Sequence, residues 1–156
     1  MKYLRVICFL VAGLAWFSCQ QALALDPPKI EPITFVSSTS ATLIQAEIAD
    51  TPELRERGLM FRHVMPEDEA MLFDFIEPKP AAMWMKNTYM SLDMVFVRQD
   101  GTIAALAENT VPKSLDTISV QEPVRGVIEL AAGMVKKLGL KKNDKVFHRI
   151  FKTEEQ

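Results

Sequence analysis

The residue types best able to do chemistry crowd into one stretch, Met83-Trp84-Met85-Lys86-Asn87-Thr88, followed by Leu92-Asp93-Met94. Side chains alternate faces along a strand. Read as a strand over Ala82 to Thr88, the stretch puts Met83, Met85 and Asn87 on one face and Trp84, Lys86 and Thr88 on the other. An indole beside an ammonium makes a ligand platform, because it offers a flat face and one donor. The plainer reading puts Trp84 in the core and pairs Lys86 with Asp93. A second cluster runs from Arg55 to His63, with three arginines at Arg55, Arg57 and Arg62. Guanidinium groups hold carboxylates or phosphates through bidentate contacts. Arg57 and Arg62 flank the apolar Leu59-Met60-Phe61 and are expected to turn inward. The plainer reading is a solvated helix face paired with Glu53, Glu56 or Glu67.

Methionine is the third feature. Thioethers are soft ligands that select Cu(I), so Met83 and Met85 with His63 form a conceivable metal site, against ordinary core filling. Familiar catalytic patterns are missing from the chain. His63 and His148 have no HxxxH spacing, and there is no GxSxG, P-loop or GxGxxG. No cofactor is implied. Asp74, Asp93, Glu108 and Glu129 could supply a carboxylate pair to a hydrolase or lyase, with Asp93 or Glu129 as acid or base. The leading expectation is a binding site for a small anionic or polyhydroxylated ligand, or an accessory module. Arg57, Arg62 and Lys86 would supply charge, Trp84 would stack, and Asn87 and Asp93 would orient hydroxyls.

The compartment follows from the first 24 residues. Lys2 and Arg5 precede an apolar run from Val6 to Phe17, and Ala22-Leu-Ala24 supplies small residues for cleavage. The expectation is a signal peptide over 1–24, cut at about Ala24, and a periplasmic or secreted product. Cleavage removes both cysteines, Cys8 and Cys19, and with them thiol and thiolate chemistry. Trp84 becomes the lone tryptophan. Sixteen basic residues then face twenty acidic ones, a net charge of −4. That balance argues against nucleic acid or an anionic membrane surface as partner.

These residues must be held by a domain of 132 residues, enough for one core. Pro27, Pro28 and Pro32 suggest a loose tether, so residues 25–40 are read as tether and first strand, and 41–152 as one globular β domain. Ile33 to Val36 and Ala41 to Ala49 read as a hairpin across Ser37 to Ser40. Thr51 or Asp50 can cap a short helix that Pro52 starts and Gly58 ends. Met71 to Phe75 reads as a strand stopped by Pro78 and Pro80. Further strands are expected at Met94 to Val97, Thr102 to Ala107 after the Asp100-Gly101 turn, Val124 to Leu130, and Lys145 to Phe151. A short helix over Ala131 to Leu138 closes at Gly139. No βαβ rhythm is visible. The class is mainly β, a compact sandwich or jelly roll or a partly open barrel, with one or two short helices.

An ordered set of motifs, Arg57-Gly-Leu-Met60 with Arg62, Met71-Leu-Phe73, Trp84-Met-Lys-Asn-Thr88 with Leu92-Asp-Met94, Glu129-Leu130 with Ala132-Gly133, and Asn143-Asp-Lys-Val146, resembles the family called domain of unknown function 192. The resemblance spans about Thr42 to Ile150. It implies a compact, mainly β fold, often behind an export signal, and lends no catalytic residues. Two departures stand out. Tyr89-Met90-Ser91 replaces a short aliphatic segment ending in proline, and Asn143 replaces a glycine.

Overall fold

The computed structural model describes residues 27–152; the expected signal peptide, 1–24, lies outside the described residues. Among the described residues, seven strands form one sheet: β1 (Ile30–Val36), β2 (Ala41–Ala49), β3 (Glu69–Met83), β4 (Leu92–Val97), β5 (Ile103–Ala107), β6 (Ile118–Ala131) and β7 (Lys145–Phe147). Two short helices, α1 (Pro52–Arg57) and α2 (Met134–Leu138), complete it. The strand order is β5-β4-β6-β3-β2-β1-β7. The two edges nearly meet, because Thr102 bridges Lys145 and the Val146 amide donates to the Gly101 carbonyl at 2.8 Å. The sheet is a nearly closed barrel, which leaves little unpaired edge.

Alternation along the strands separates two apolar clusters. Every strand sends residues to the interior, among them Ile33, Ile44, Leu72, Val95, Ile103, Ile128 and Val146, and α2 adds Met134, Val135 and Leu138. The opposite face of β3, β6 and β4 carries Met71, Phe73, Val127, Met94 and Phe96, covered by Leu59 and Met85 from loops. This second cluster positions the site.

Much of the expected layout is present, with physical reasons for the exceptions. Thr51 caps α1, its hydroxyl accepting from the Leu54 amide at 3.2 Å, and the Gly58 amide closes the other end on the Leu54 carbonyl. Pro32 is part of a strand and no tether: it lies opposite Gln45 in the β1–β2 ladder. Pro78 and Pro80 do not stop β3. The strand absorbs them through register shifts between Asp74 and Lys79 and between Lys79 and Ala81, so it runs for 15 residues. β2 and β3 pair in parallel across α1, a crossover too short to leave a visible rhythm. β6 begins at Ile118, six residues earlier than expected, and β7 stops at Phe147. Asn143 has φ 75°, in the left-handed region where a glycine is easy and asparagine is tolerated.

Candidate functional site

The candidate site is a cleft of about 390 Å³ on the outer face of the sheet, within the range of small-molecule sites. Gly58, Leu59 and Met60 after α1 form one side, and Ala82, Met83 and Trp84 at the end of β3 form the other. Phe73 and Phe75 wall it, and Glu129 lines its floor.

Around this cleft stand Arg57 from the last turn of α1, Lys79 from β3 and Lys86 from the loop after β3. None of the three has a carboxylate within ion-pair distance among the described residues. Two lie over aromatic rings instead: Lys79 Nζ is 4.9 Å from the Phe75 centroid, and Lys86 Nζ is 5.5 Å from that of Trp84. A ring face attracts a cation without neutralising it, so the charges stay available to an anion. Trp84 is 50% exposed, which removes the core-packing alternative.

Of the six predicted binding residues, the fold brings together Arg57, Trp84 and Lys86. Asn87 sits just behind, its amide nitrogen 3.8 Å from Met60 Sδ and its carbonyl accepting from the Phe61 amide at 2.8 Å. Phe61 has a positive φ of 66°, which a bulky residue adopts where the surroundings impose it, while the φ of 56° at Asn87 is one that asparagine tolerates. Arg62 turns away to pair with Glu47 in a neighbouring hollow. Asp93 is also absent from the cleft. It points into the barrel, fully buried, and accepts from the Asn109 amide at 2.8 Å and the Val135 amide at 2.9 Å. It ties β4 to the start of α2 and to the loop after β5, a structural use of a carboxylate.

The inward arginine is Arg55, not Arg57. Arg55 Nη1 donates to the carbonyls of Asp50 (2.7 Å) and Asp74 (2.8 Å), which fastens α1 to β3. Arg57 remains exposed at the cleft. The strand reading of Ala82 to Thr88 fails beyond Met83. The Met85 amide donates to the Ser114 carbonyl, and the Thr88 amide turns back to the Met85 carbonyl. The chain bends there, so Met85 drops into the core while Met83 lines the cleft.

The same bend disperses the Met83, Met85 and His63 grouping. Met85 Sδ lies 3.2 Å from the Thr110 hydroxyl, and the His63 ring stacks 4.8 Å from that of Tyr89. The four carboxylates also separate. Asp74 pairs with Arg125, Asp93 is held as described, and Glu108 lines a different hollow beside Asn109. Glu129 lies opposite Met94 and Asp93 opposite Leu130, so the two acids face opposite sides of the sheet.

Glu129 lines the cleft, although the residue types brought it forward only as an acid or base and not as a ligand contact. It is 4% exposed, and burial pushes its carboxyl up to about 8. Its signal in the sequence was a lone acid inside the apolar run Val127-Ile128-Glu129-Leu130-Ala131. Lys79 and Phe75 complete the cleft without any local mark, whereas Met60 and Phe73 fall within motifs already singled out in the sequence.

The chain matches the family model DUF192, described as uncharacterized ACR, over residues 34–148. Two solved structures resemble it closely. One is a protein from Sinorhizobium meliloti 1021, provisionally described as a transcription regulator. It is 42% identical, the match covers 80% of this chain and 97% of that one, and the TM-score is 0.77. The other is a protein of unknown function from Novosphingobium aromaticivorans DSM 12444, 31% identical, covering 80% and 89%, with a TM-score of 0.76. No curated protein matches the chain.

Proposed function

This chain belongs to the DUF192 family, and we propose that it is an exported binding or accessory domain whose cleft takes a small anionic ligand. The carrying observation is the set of three cations, Arg57, Lys79 and Lys86, around one cleft without a carboxylate partner among the described residues. Isolated cations repel one another, and an anion entering between them relieves that repulsion. Trp84 beside Lys86 gives the ligand an apolar face to lie on. A polyhydroxylated ligand fits less well. Asp93 and Arg62 do not line the cleft, and Asn87 is engaged behind it.

The proposed location is periplasmic or extracellular, from the signal at residues 1–24. Cell fractionation with cytoplasmic and periplasmic markers tests it; retention of uncleaved protein in the cytoplasm overturns it.

Binding is tested by titrating Trp84 fluorescence of the chain from Leu25 with a dicarboxylate, a sugar phosphate and a neutral disaccharide. The anions are expected to change the emission and the disaccharide to leave it unchanged. Salt should weaken the effect, and Arg57→Ala should weaken it further. Equal responses to all three probes, or none, overturn the reading.

The description of the Sinorhizobium relative suggests a second reading, a nucleic-acid partner. The helices among the described residues are six and five residues long, short for a recognition element, and the chain from Leu25 is acidic. A mobility-shift assay at low salt decides: a retarded band that salt abolishes would favour nucleic acid over a small anion.

A further inference from the structure

Folding does not explain why Glu129 is where it is. Its side chain lies on the outer face of β6, flanked across the strands by Met71 and Met94, in an otherwise apolar cluster. None of the described residues forms a hydrogen bond with its carboxyl, and the carboxyl opens onto the cleft. The carboxyl is reachable from the cleft, so its hydrogen-bond partner must come from there. The groups that line the cleft with it are Arg55, Glu56 and Arg57 of α1, Lys79 of β3 and Lys86 of the following loop. Opposite it on β3 and β4 stand uncharged methionines. Arg57, Lys79 and Lys86 are exposed and Glu129 is buried, so the cations stand at the rim and the acid at the floor, with the ligand space between.

We infer, resting on the anion-binding reading above, that the ligand is an oxyanion carrying a second, hydrogen-bond-accepting oxygen, and that the Glu129 carboxyl donates to that oxygen. The rim cations hold the anionic end. The floor then discriminates. An acid that keeps its proton at neutral pH donates one bond; it holds an ammonium group poorly, because that requires ionising it against Met71 and Met94. A ligand with a bare hydrocarbon end leaves the acid unpaired. Sites built to hydrogen-bond a polar group reject analogues that lack it. Keto acids, hydroxy acids and half-protonated dicarboxylates share the required chemistry.

The test uses 4-oxopentanoate, 6-oxoheptanoate and 8-oxononanoate beside amino and unsubstituted carboxylates of the same lengths. Binding to the chain from Leu25 is measured by calorimetry from pH 6 to 9.5. At pH 7 an oxo acid is expected to bind about tenfold or more tightly than its unsubstituted counterpart. Above pH 8 that affinity falls by about tenfold per pH unit. Glu129→Gln keeps a donor but does not titrate, so it should retain the preference and lose the decline that begins at pH 8. This separates Glu129 from Lys79 and Lys86, which face the same cleft. Glu129→Leu should abolish the preference; if that variant does not fold, the glutamine variant decides alone. The inference is overturned if Glu129→Gln shows the same decline, or if the amino acids bind best. If no carboxylate binds at any pH, the anion-binding reading fails and this inference fails with it.

Discussion

Replacing Glu129 by glutamine should change how stability depends on pH, whatever the ligand. Burial pushes the folded carboxyl to about 8, while its ordinary value is 4.5. Between those values the folded chain holds the proton and the unfolded chain releases it. The folded state then binds more protons, so stability falls as pH rises through this window and levels off above 8. One pH unit corresponds to about 1.4 kcal/mol, so the whole interval amounts to roughly 5 kcal/mol, of which about 3 kcal/mol is lost by pH 7. Glutamine removes the titration and adds a pH-independent offset for burying an amide. Urea unfolding of both proteins at pH 4.5, 6, 7 and 8.5 isolates the effect as the change in their difference. At pH 4.5 the wild type should gain by about 3 kcal/mol relative to the variant, compared with pH 7. In melting temperature this is roughly 10 °C for a domain of this size. A difference that stays constant from pH 4.5 to 8.5 would refute the reasoning, because it would mean the carboxyl is hydrated or paired when folded.

Three further substitutions test the frame that holds the cleft. Asp93→Ala strips the acceptor from the Asn109 and Val135 amides and should cost about 2–4 kcal/mol, with faster hydrogen exchange at those two amides. Arg125→Met leaves Asp74 buried without its cation and should cost about 3–5 kcal/mol in chemical unfolding, with part recovered when Asp74→Leu is added. Gly126→Ala places a methyl 2.7 Å from the Phe73 carbonyl oxygen, where β6 crosses β3, and should lower stability by about 1–3 kcal/mol.

The legible parts of the fold were those coded by neighbouring residues. The Ser37 to Ser40 turn, the Thr51 cap with Pro52 and Gly58, and the Asp100-Gly101 turn each depend on a few adjacent positions, and each stands where expected. What failed depended on distant partners. Pro78 and Pro80 normally break a strand, yet β6 supports β3 across its register shifts. Pro32 is acceptable in β1 because β2 still pairs around it. The cleft followed the same rule. Trp84, Lys86 and Arg57 carried a local mark as chemically apt residues near apolar ones. Lys79 and Phe75 reach the site only because β3 continues past its prolines. Asp93 and Glu129 both read as lone acids in apolar runs. Pairing with β6 assigns them to opposite faces, one to a backbone tie and the other to the cleft floor.

The proposed function places an anion above Glu129 in the cleft bounded by Arg57, Lys79, Lys86 and Trp84. It is tested most directly by nitrogen–proton correlation spectra of the chain from Leu25, titrated with 6-oxoheptanoate at pH 7. Saturable shifts are expected, concentrated on the Trp84 indole N–H, Gly58, Met60, Lys86 and Glu129, with Asn109 and Val135 unmoved. Shifts centred elsewhere on the barrel, or a spectrum unchanged at millimolar anion, would contradict it.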